Sequence, residues 1–387
     1  MDKKIPILFL SDAVSSTTGL GRITRDLAFH LSQHCQDVYD VAAVGYGGVG
    51  NQELPFMEYH VHDISNWLVP ELPQVWEDWA QGREGILMVV WDMSRLYWLG
   101  TPQKCPIPHL RRFAERKDVK KWAYHAIDAE GPLGKLPSSI AETMKGFDRV
   151  LDYSEFSSRI TGNKHWLPHG IDTQTFFPRD RRESRKCMID GGFQGLNQDS
   201  LLLGVVATNQ ARKNWQLAFA VAHILMNRGH DVRLWCHTDV LERHWSLPNL
   251  IVDYGLLGRV AVTTQRYTDE QMSMMYAACN VTMGIGPEGA GYPIMESLAC
   301  GVPCVTGKYA AQADYAPERM LVPPIAFHYE GGFCSKRPVF QPEDWADRVE
   351  VMMLEAKQTA RKSLLPESLD WKNLWPRWEQ WFREGVA

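Results

Sequence analysis

Short apolar runs recur along the chain, and each is followed by a stretch whose apolar residues repeat every three or four positions. A short apolar run reads as a buried strand and a 3.6-residue period as an amphipathic helix, so the alternation predicts strand–helix units stacked into a parallel, doubly wound α/β sheet. IPILFL (5–10) is the first predicted strand. After SDAVSSTTGLG, Leu20, Ile23, Leu27 and Leu31 recur at helical spacing and form one stripe that can pack on the sheet. DVAAVG (40–45), ILMVVW (86–91), WAYHAI (122–127) and RVLDYS (149–154) are further strands. Ser138 and Ser139 are the expected cap of a helix before the last of these.

The pattern restarts at LLLGVV (201–206), with a helix from Trp215 to Arg228, Gly229 as its C-terminal stop, and a strand VRLWC (232–236). Residues 269–279, 281–286, 293–300 and 302–306 then read as helix, strand, helix and strand, Gly301 ending the second helix. Between the halves, HGIDTQTFFPRDRRESRK (169–186) is polar, contains proline and has no sustained period, which marks it as the linker. Each half is therefore one Rossmann-like unit. In the tail, Trp371, Trp375, Trp378 and Trp381 lie on one helical face. Core packing across a domain seam is the expected role, and a base-stacking platform is the alternative.

At 387 residues, 45% hydrophobic and 22% charged, the chain exceeds one ordinary core, which fits two globular domains. The net charge of −5 offers nothing global to a polyanion, so any contact with nucleic acid or membrane must be local. One segment qualifies: HLRRFAERKDVKKW (109–122) reads as a basic helix carrying Arg111, Arg112, Arg116, Lys117, Lys120 and Lys121. It could face anionic lipid or nucleic-acid phosphate, and a plain solvated helix is the alternative. The eight cysteines form no CxxC pair and read as reduced thiols. The apolar run at 5–10 is too short for a signal peptide or a membrane span, so the expected compartment is cytoplasmic, with peripheral membrane association left open.

The richest string for chemistry is PEGAGYPIMESLACGVPCV (287–305), in which seven residues separate Glu288 from Glu296 across a strand-to-helix turn. Gly289 and Gly291, with Ala290 between them, let backbone approach a ligand closely. A helix opening at Tyr292 or Pro293 aims N–H groups and a positive dipole end at that ligand, a position that suits a diphosphate. Glu288 can reach sugar hydroxyls from the loop, and Glu296, about one turn into the helix, can accept both hydroxyls of a ribose. A capped helix with surface carboxylates is the bland alternative. His125 falls near the carboxyl end of a predicted strand, where open α/β sheets place ligands, although a buried or loop histidine would sit there equally well.

The 287–305 string resembles the Glu-x7-Glu motif of the family-4 retaining glycosyltransferases, and other pieces fall in that family's order. HGIDTQTF (169–176) is similar to the string that ends its N-terminal domain. ATNQARKN (207–214) stands where such enzymes place an arginine and a lysine on the donor diphosphate. Gly19 and Gly21 of TGLGR match the family's glycine loop, and the Trp-rich tail resembles its C-terminal helix, which crosses back to the first domain. The resemblance spans essentially the whole chain. It implies the GT-B fold: two Rossmann-like, doubly wound domains facing a central cleft, with 1–175 and a C-terminal helix at about 371–387 on the acceptor side and 176–370 on the donor side.

What the resemblance further implies is a metal-independent, retaining hexosyl- or pentosyltransferase. It would use no cofactor and take a nucleoside-diphosphate sugar as co-substrate, with UDP as the common base and GDP as the alternative. Glu288, Lys213, Arg212 and His125 would be catalytic, and Gly19, Gly21, Asn209, Glu296 and the run from Gly289 to Pro293 would hold the donor. Asp128, Arg111 and Arg112 would lie on the acceptor side, and the acceptor hydroxyl could belong to a glycan, a lipid, a small molecule or a hydroxylated base of DNA. The chain departs from the family in that Arg212 and Lys213 are adjacent, Asn209 taking the usual arginine place. Two cations beside a leaving diphosphate would stabilise the charge on its β-phosphate, as a divalent metal does elsewhere.

Rival readings are few. A nicotinamide oxidoreductase needs a third glycine where Thr24 stands and an acid where the second strand ends in Val44 and Gly45. A non-catalytic sugar- or nucleotide-binding protein, a phosphorylase or an epimerase could share the fold.

Overall fold

The apolar runs of the first half assemble into one parallel sheet of six strands. In the computed structural model, which describes residues 4–16, 18–48, 53–62, 64, 67–358 and 361–386, the elements run β1 (Ile5–Asp12), α1 (Gly19–His34), β2 (Tyr39–Tyr46), β3 (Met57–Val61), α2 (Leu72–Ala80), β4 (Gly85–Val89), α3 (Tyr97–Gly100), α4 (Pro108–Ala114), β5 (Val119–His125), α5 (Ser138–Met144), β6 (Arg149–Asp152) and α6 (Glu155–Thr161). The strand order is β3-β2-β1-β4-β5-β6, every pair parallel. Helices cover both faces of such a sheet, so Ile7, Leu8, Phe9 and Leu10 of β1 are all buried and the run is continuous rather than alternating.

The second half repeats the plan with α7 (Arg181–Asp190), β7 (Leu201–Val206), α8 (Trp215–Asn227), β8 (Val232–His237), α9 (Leu247–Asp253), β9 (Val260–Thr263), α10 (Asp269–Ala278), β10 (Val281–Gly284), α11 (Tyr292–Ala299), β11 (Cys304–Gly307), α12 (Gln312–Tyr315) and β12 (Leu321–Val322). Its order is β12-β11-β10-β7-β8-β9, again parallel. A separate antiparallel hairpin, β13 (Ala326–Glu330) with β14 (Ser335–Val339), precedes α13 (Pro342–Gln358) and α14 (Trp371–Glu384). The chain divides into two compact units, Met1–His169 with Leu374–Ala387, and Gly170–Asn373. No helix among the described residues is long and apolar enough to cross a membrane.

The tryptophans of α14 are core residues. Trp375 stacks on His30 with ring centroids 5.1 Å apart, and Trp378 meets Tyr124 edge-on at 4.8 Å while its Nε1 donates to the Pro168 carbonyl at 2.9 Å. Trp381 packs edge-on to Trp122, and the Arg149 guanidinium lies over both rings. In the second unit Trp371 closes on Gly170, where a Cβ would lie 2.8 Å from the indole. All four indoles are buried, which removes the base-stacking alternative.

Several local expectations change. Pro137, not a serine, is the N-cap of α5; Ser138 and Ser139 are its first helical residues and no side chain caps it. The expected linker is helical from Arg181, because Asp180 caps α7 by accepting from the Glu183 N–H at 2.9 Å. The apolar period of α7 is thin because a buried position holds Arg185, whose guanidinium donates to the carbonyls of Ala278 and Ser200 and to Asn280 Oδ1. The basic segment is not one helix: α4 stops at Ala114 and β5 starts at Val119, so Lys120 and Lys121 belong to a strand. Strands β3, β9 and β12 escaped the sequence reading, since β3 and β9 are partly exposed edge strands of mixed polarity and β12 has two residues.

Candidate active site

The loop after β7 carries the two basic candidates into α8. Asn214 caps α8 by accepting from the Leu217 N–H, and its own N–H donates to the Ile285 carbonyl at 3.1 Å, which ties this loop to the end of β10. Lys213 consequently lies along Gly286, where a Cβ would come within 2.8 Å of Lys213 Cδ and 3.0 Å of the Arg212 carbonyl oxygen. Only a glycine lets the two segments approach this closely. Lys213 is 4% exposed, and its ammonium binds Glu288 Oε1. Arg212 donates from Nη1 to the Pro287 carbonyl at 2.6 Å and stands 3.6 Å from Glu288 Oε2. An ammonium so removed from water needs a charged partner, and Glu288 supplies it.

The helix beyond this loop opens at Tyr292, with Pro293 in its first turn and Gly291 as N-cap at φ +94°. Gly291 has no side chain to cap the helix, so its positive end lies at the loop that carries Glu288 to Ala290. Glu296, in the second turn, is buried and accepts a 2.6 Å hydrogen bond at Oε2 from the hydroxyl of Tyr276 on α10. Tyr276 carried no sequence signal, because its role depends on a contact twenty residues away in the chain. The second unit thus brings together Arg212, Lys213, Glu288, the Gly289–Pro293 turn and Glu296.

Asn209 is placed differently. Its Nδ2 donates to the Val240 and Trp245 carbonyls, at 3.2 and 2.8 Å, while Oδ1 accepts from the Trp245 N–H. The side chain is fully buried, so the amide anchors the loop after β8 instead of facing a ligand.

The remaining candidates lie in the first unit. Thr18 caps α1 by accepting from the Gly21 N–H at 3.1 Å. Gly21 is structural, since a Cβ there would lie 2.3 Å from both the Ala13 carbonyl oxygen and Ser16 Oγ, whereas a Cβ on Gly19 would meet nothing within 4 Å. His125 ends β5 in register with Asp152 at the end of β6, and its Nε2 lies 2.9 Å from Asp152 Oδ1 with both side chains fully buried. Its ring faces a carboxylate inside the unit. Asp128 is half-buried in the loop that follows.

Arg111 and Arg112 are exposed on α4, Arg111 donating to the Cys105 carbonyl at 2.7 Å. The basic character of this segment is partly spent. Arg116 pairs with Asp118 and Glu77, and Lys121 donates to the Leu99 and Ala114 carbonyls, where burial lowers its pKa.

No family model matches the chain. A curated relative, the D-inositol 3-phosphate glycosyltransferase of Paenarthrobacter aurescens (strain TC1), is 22% identical over 335 residues, which cover 81% of this chain and 73% of the relative. Sucrose-phosphate synthase from Thermosynechococcus elongatus superposes with a TM-score of 0.72 at 13% identity, covering 98% of this chain and 99% of that one. Anabaena HepE, solved in complex with UDP-glucose, gives a TM-score of 0.70 at 13% identity over 99% of each chain. At such identities the likeness speaks for architecture, and the two parallel six-stranded units with their shared strand order have the GT-B fold of these structures.

Proposed function

We propose that this chain is a retaining, metal-independent glycosyltransferase of the family-4 type, moving a sugar from a nucleoside-diphosphate sugar to an acceptor hydroxyl. The observation that carries this reading is the cluster of Lys213, Arg212 and Glu288 at the opening of α11, with Glu296 one turn inside that helix. A diphosphate at the positive end of α11 would lie beside both cations, which then offset the charge that grows on the leaving β-phosphate. Glu296, its carboxylate held by Tyr276, is suited to accept the ribose hydroxyls. Glu288 positions the transferred sugar. Attack from the face of the departing phosphate, whose oxygen takes the acceptor proton, retains configuration without an enzymic nucleophile. UDP is the favoured base, supported by the UDP-glucose bound to HepE, a protein of the same fold.

In this reading Lys213 changes partner during the cycle. Its ammonium, paired with Glu288 in the structure, moves to the phosphate when a donor binds, which leaves the carboxylate for the sugar hydroxyls. The test is thermal unfolding with UDP, GDP and their sugars, EDTA present, on the wild type, Glu296→Ala and Lys213→Ala. A ligand that binds only the folded chain raises the midpoint by mass action. One nucleotide should stabilise the wild type and neither variant; variants that respond like wild type would sink the donor-site assignment. Proton NMR of the product anomer then decides retention.

A further inference from the structure

Resting on the donor-site reading above, we infer that Gln312 and Tyr315 are positioning residues that divide the donor loop between them, Gln312 setting the sugar-binding Glu288 and Tyr315 setting the diphosphate-binding turn. The loop from Gly286 to Gly291 has glycine at both ends and at Gly289 and no regular structure, so its backbone would sample many conformations if nothing held it. The four-residue α12 and the residue before it hold it. Gln312 Oε1 accepts from the Glu288 N–H at 3.1 Å, and Gln312 Nε2 donates to the Gly286 carbonyl at 3.2 Å. The Ala311 N–H donates to the Glu288 carbonyl at 3.1 Å. The Tyr315 hydroxyl donates to the Ala290 carbonyl at 2.7 Å, with the Gly291 carbonyl 3.3 Å away.

These contacts fall in two groups along the loop. The Gln312 contacts are on the Glu288 N–H and the Gly286 carbonyl just before it, whereas both Tyr315 contacts lie where the chain turns into α11. Gln312 is buried and Tyr315 half-buried, and desolvation of its phenol raises the Tyr315 pKa, which keeps the group protonated and therefore a donor. The segment reaches the loop through a strained turn. Ala310, buried, has φ +66°, in a region a non-glycine residue enters at a cost, and such outliers gather where a fold over-determines its backbone around a site.

Isothermal titration of the full chain with UDP and with UDP-glucose, and with GDP and GDP-mannose should the uridine pair give no heat, tests the division. Gln312→Met keeps volume and removes both amide bonds; we expect UDP-glucose to bind about tenfold more weakly while UDP stays within about twofold of wild type. Tyr315→Phe keeps the ring and removes one oxygen, and UDP and UDP-glucose should weaken by the same factor, again about tenfold. A general loosening of the fold would not separate the two ligands in one variant and join them in the other. The inference is overturned if both variants bind both ligands as wild type does, or if Gln312→Met loses UDP as much as UDP-glucose. Should Gln312→Met not fold, unchanged UDP affinity in Tyr315→Phe overturns it and equal loss of both ligands supports it. If wild type binds no nucleotide of the panel, the donor-site reading falls and takes this inference with it, a result distinct from any seen in the variants.

Discussion

Lys213 and Glu288 hold each other across the turn into α11, the ammonium on one carboxylate oxygen and Arg212 near the other. The group proposed to meet phosphate is thus paired with the group proposed to meet sugar.

Opposite effects on stability and on nucleotide affinity follow for Glu288→Gln. The folded chain loses the partner of a nearly buried ammonium, which should cost about 1–3 kcal/mol in urea unfolding. UDP should bind more tightly than to wild type, because the ammonium no longer has to leave a carboxylate, while the preference for UDP-glucose over UDP disappears. Weaker UDP binding in this variant would show that Glu288 and the phosphate do not compete for Lys213.

His169 predicts a pH dependence of the first unit. It is fully buried, its Nδ1 lies 3.1 Å from the Tyr124 hydroxyl, and burial, helped by the nearby Arg22 cation, lowers its pKa from 6.5 to about 3. The unfolded chain takes up a proton below pH 6.5 and the folded chain does not, so the stability His169 provides is full above pH 6.5 and is lost as pH falls toward 3. The slope from this one group approaches about 1.4 kcal/mol per pH unit. Urea midpoints measured between pH 7 and 5, above the carboxylate range, should fall in the wild type and flatten in His169→Gln; equal slopes would remove His169 as the cause.

Trp378 should be the most costly tail residue to truncate. It is fully buried among Tyr124, Trp381 and Phe382 and satisfies its indole N–H on the Pro168 carbonyl. Trp378→Ala removes the most deeply buried of the four indoles of the helix, and a loss of about 3–5 kcal/mol is expected from cavity formation. Chemical denaturation followed by near-ultraviolet circular dichroism reads it. A change below about 1 kcal/mol would mean that α14 is not part of the cooperative core.

Legibility in the sequence followed how local the determining contacts are. The opening of α11 at Tyr292 and the end of that helix at Gly301 could be read because glycine, proline and the apolar run lie in one short string. Both central strands, β1 and β7, are continuous apolar runs because both their faces are covered. Edge strands such as β3 lack that signal. Asn209 stood in a position suited to a donor contact, yet its amide is taken by carbonyls more than thirty residues on. Gln312 and Tyr315 act on backbone groups twenty-four to twenty-six residues back, and nothing in their own neighbourhood marks them. Arg185 hid α7 because a cation bonded to carbonyls fills the place where periodicity looks for an apolar residue.

The assignment of Leu374–Ala387 to the first unit has a consequence for how the protein is made. On the ribosome, the sheet from β1 to β6 emerges long before its covering tryptophans, and Tyr39, Trp122 and Tyr124 must wait for Phe382, Trp381 and Trp378. The segment Gly170–Asn373 is translated in full before any of those residues. The unit whose strands are translated first therefore finishes folding last, and during that interval its unfilled aromatic surface is the part of the nascent chain most in need of a chaperone.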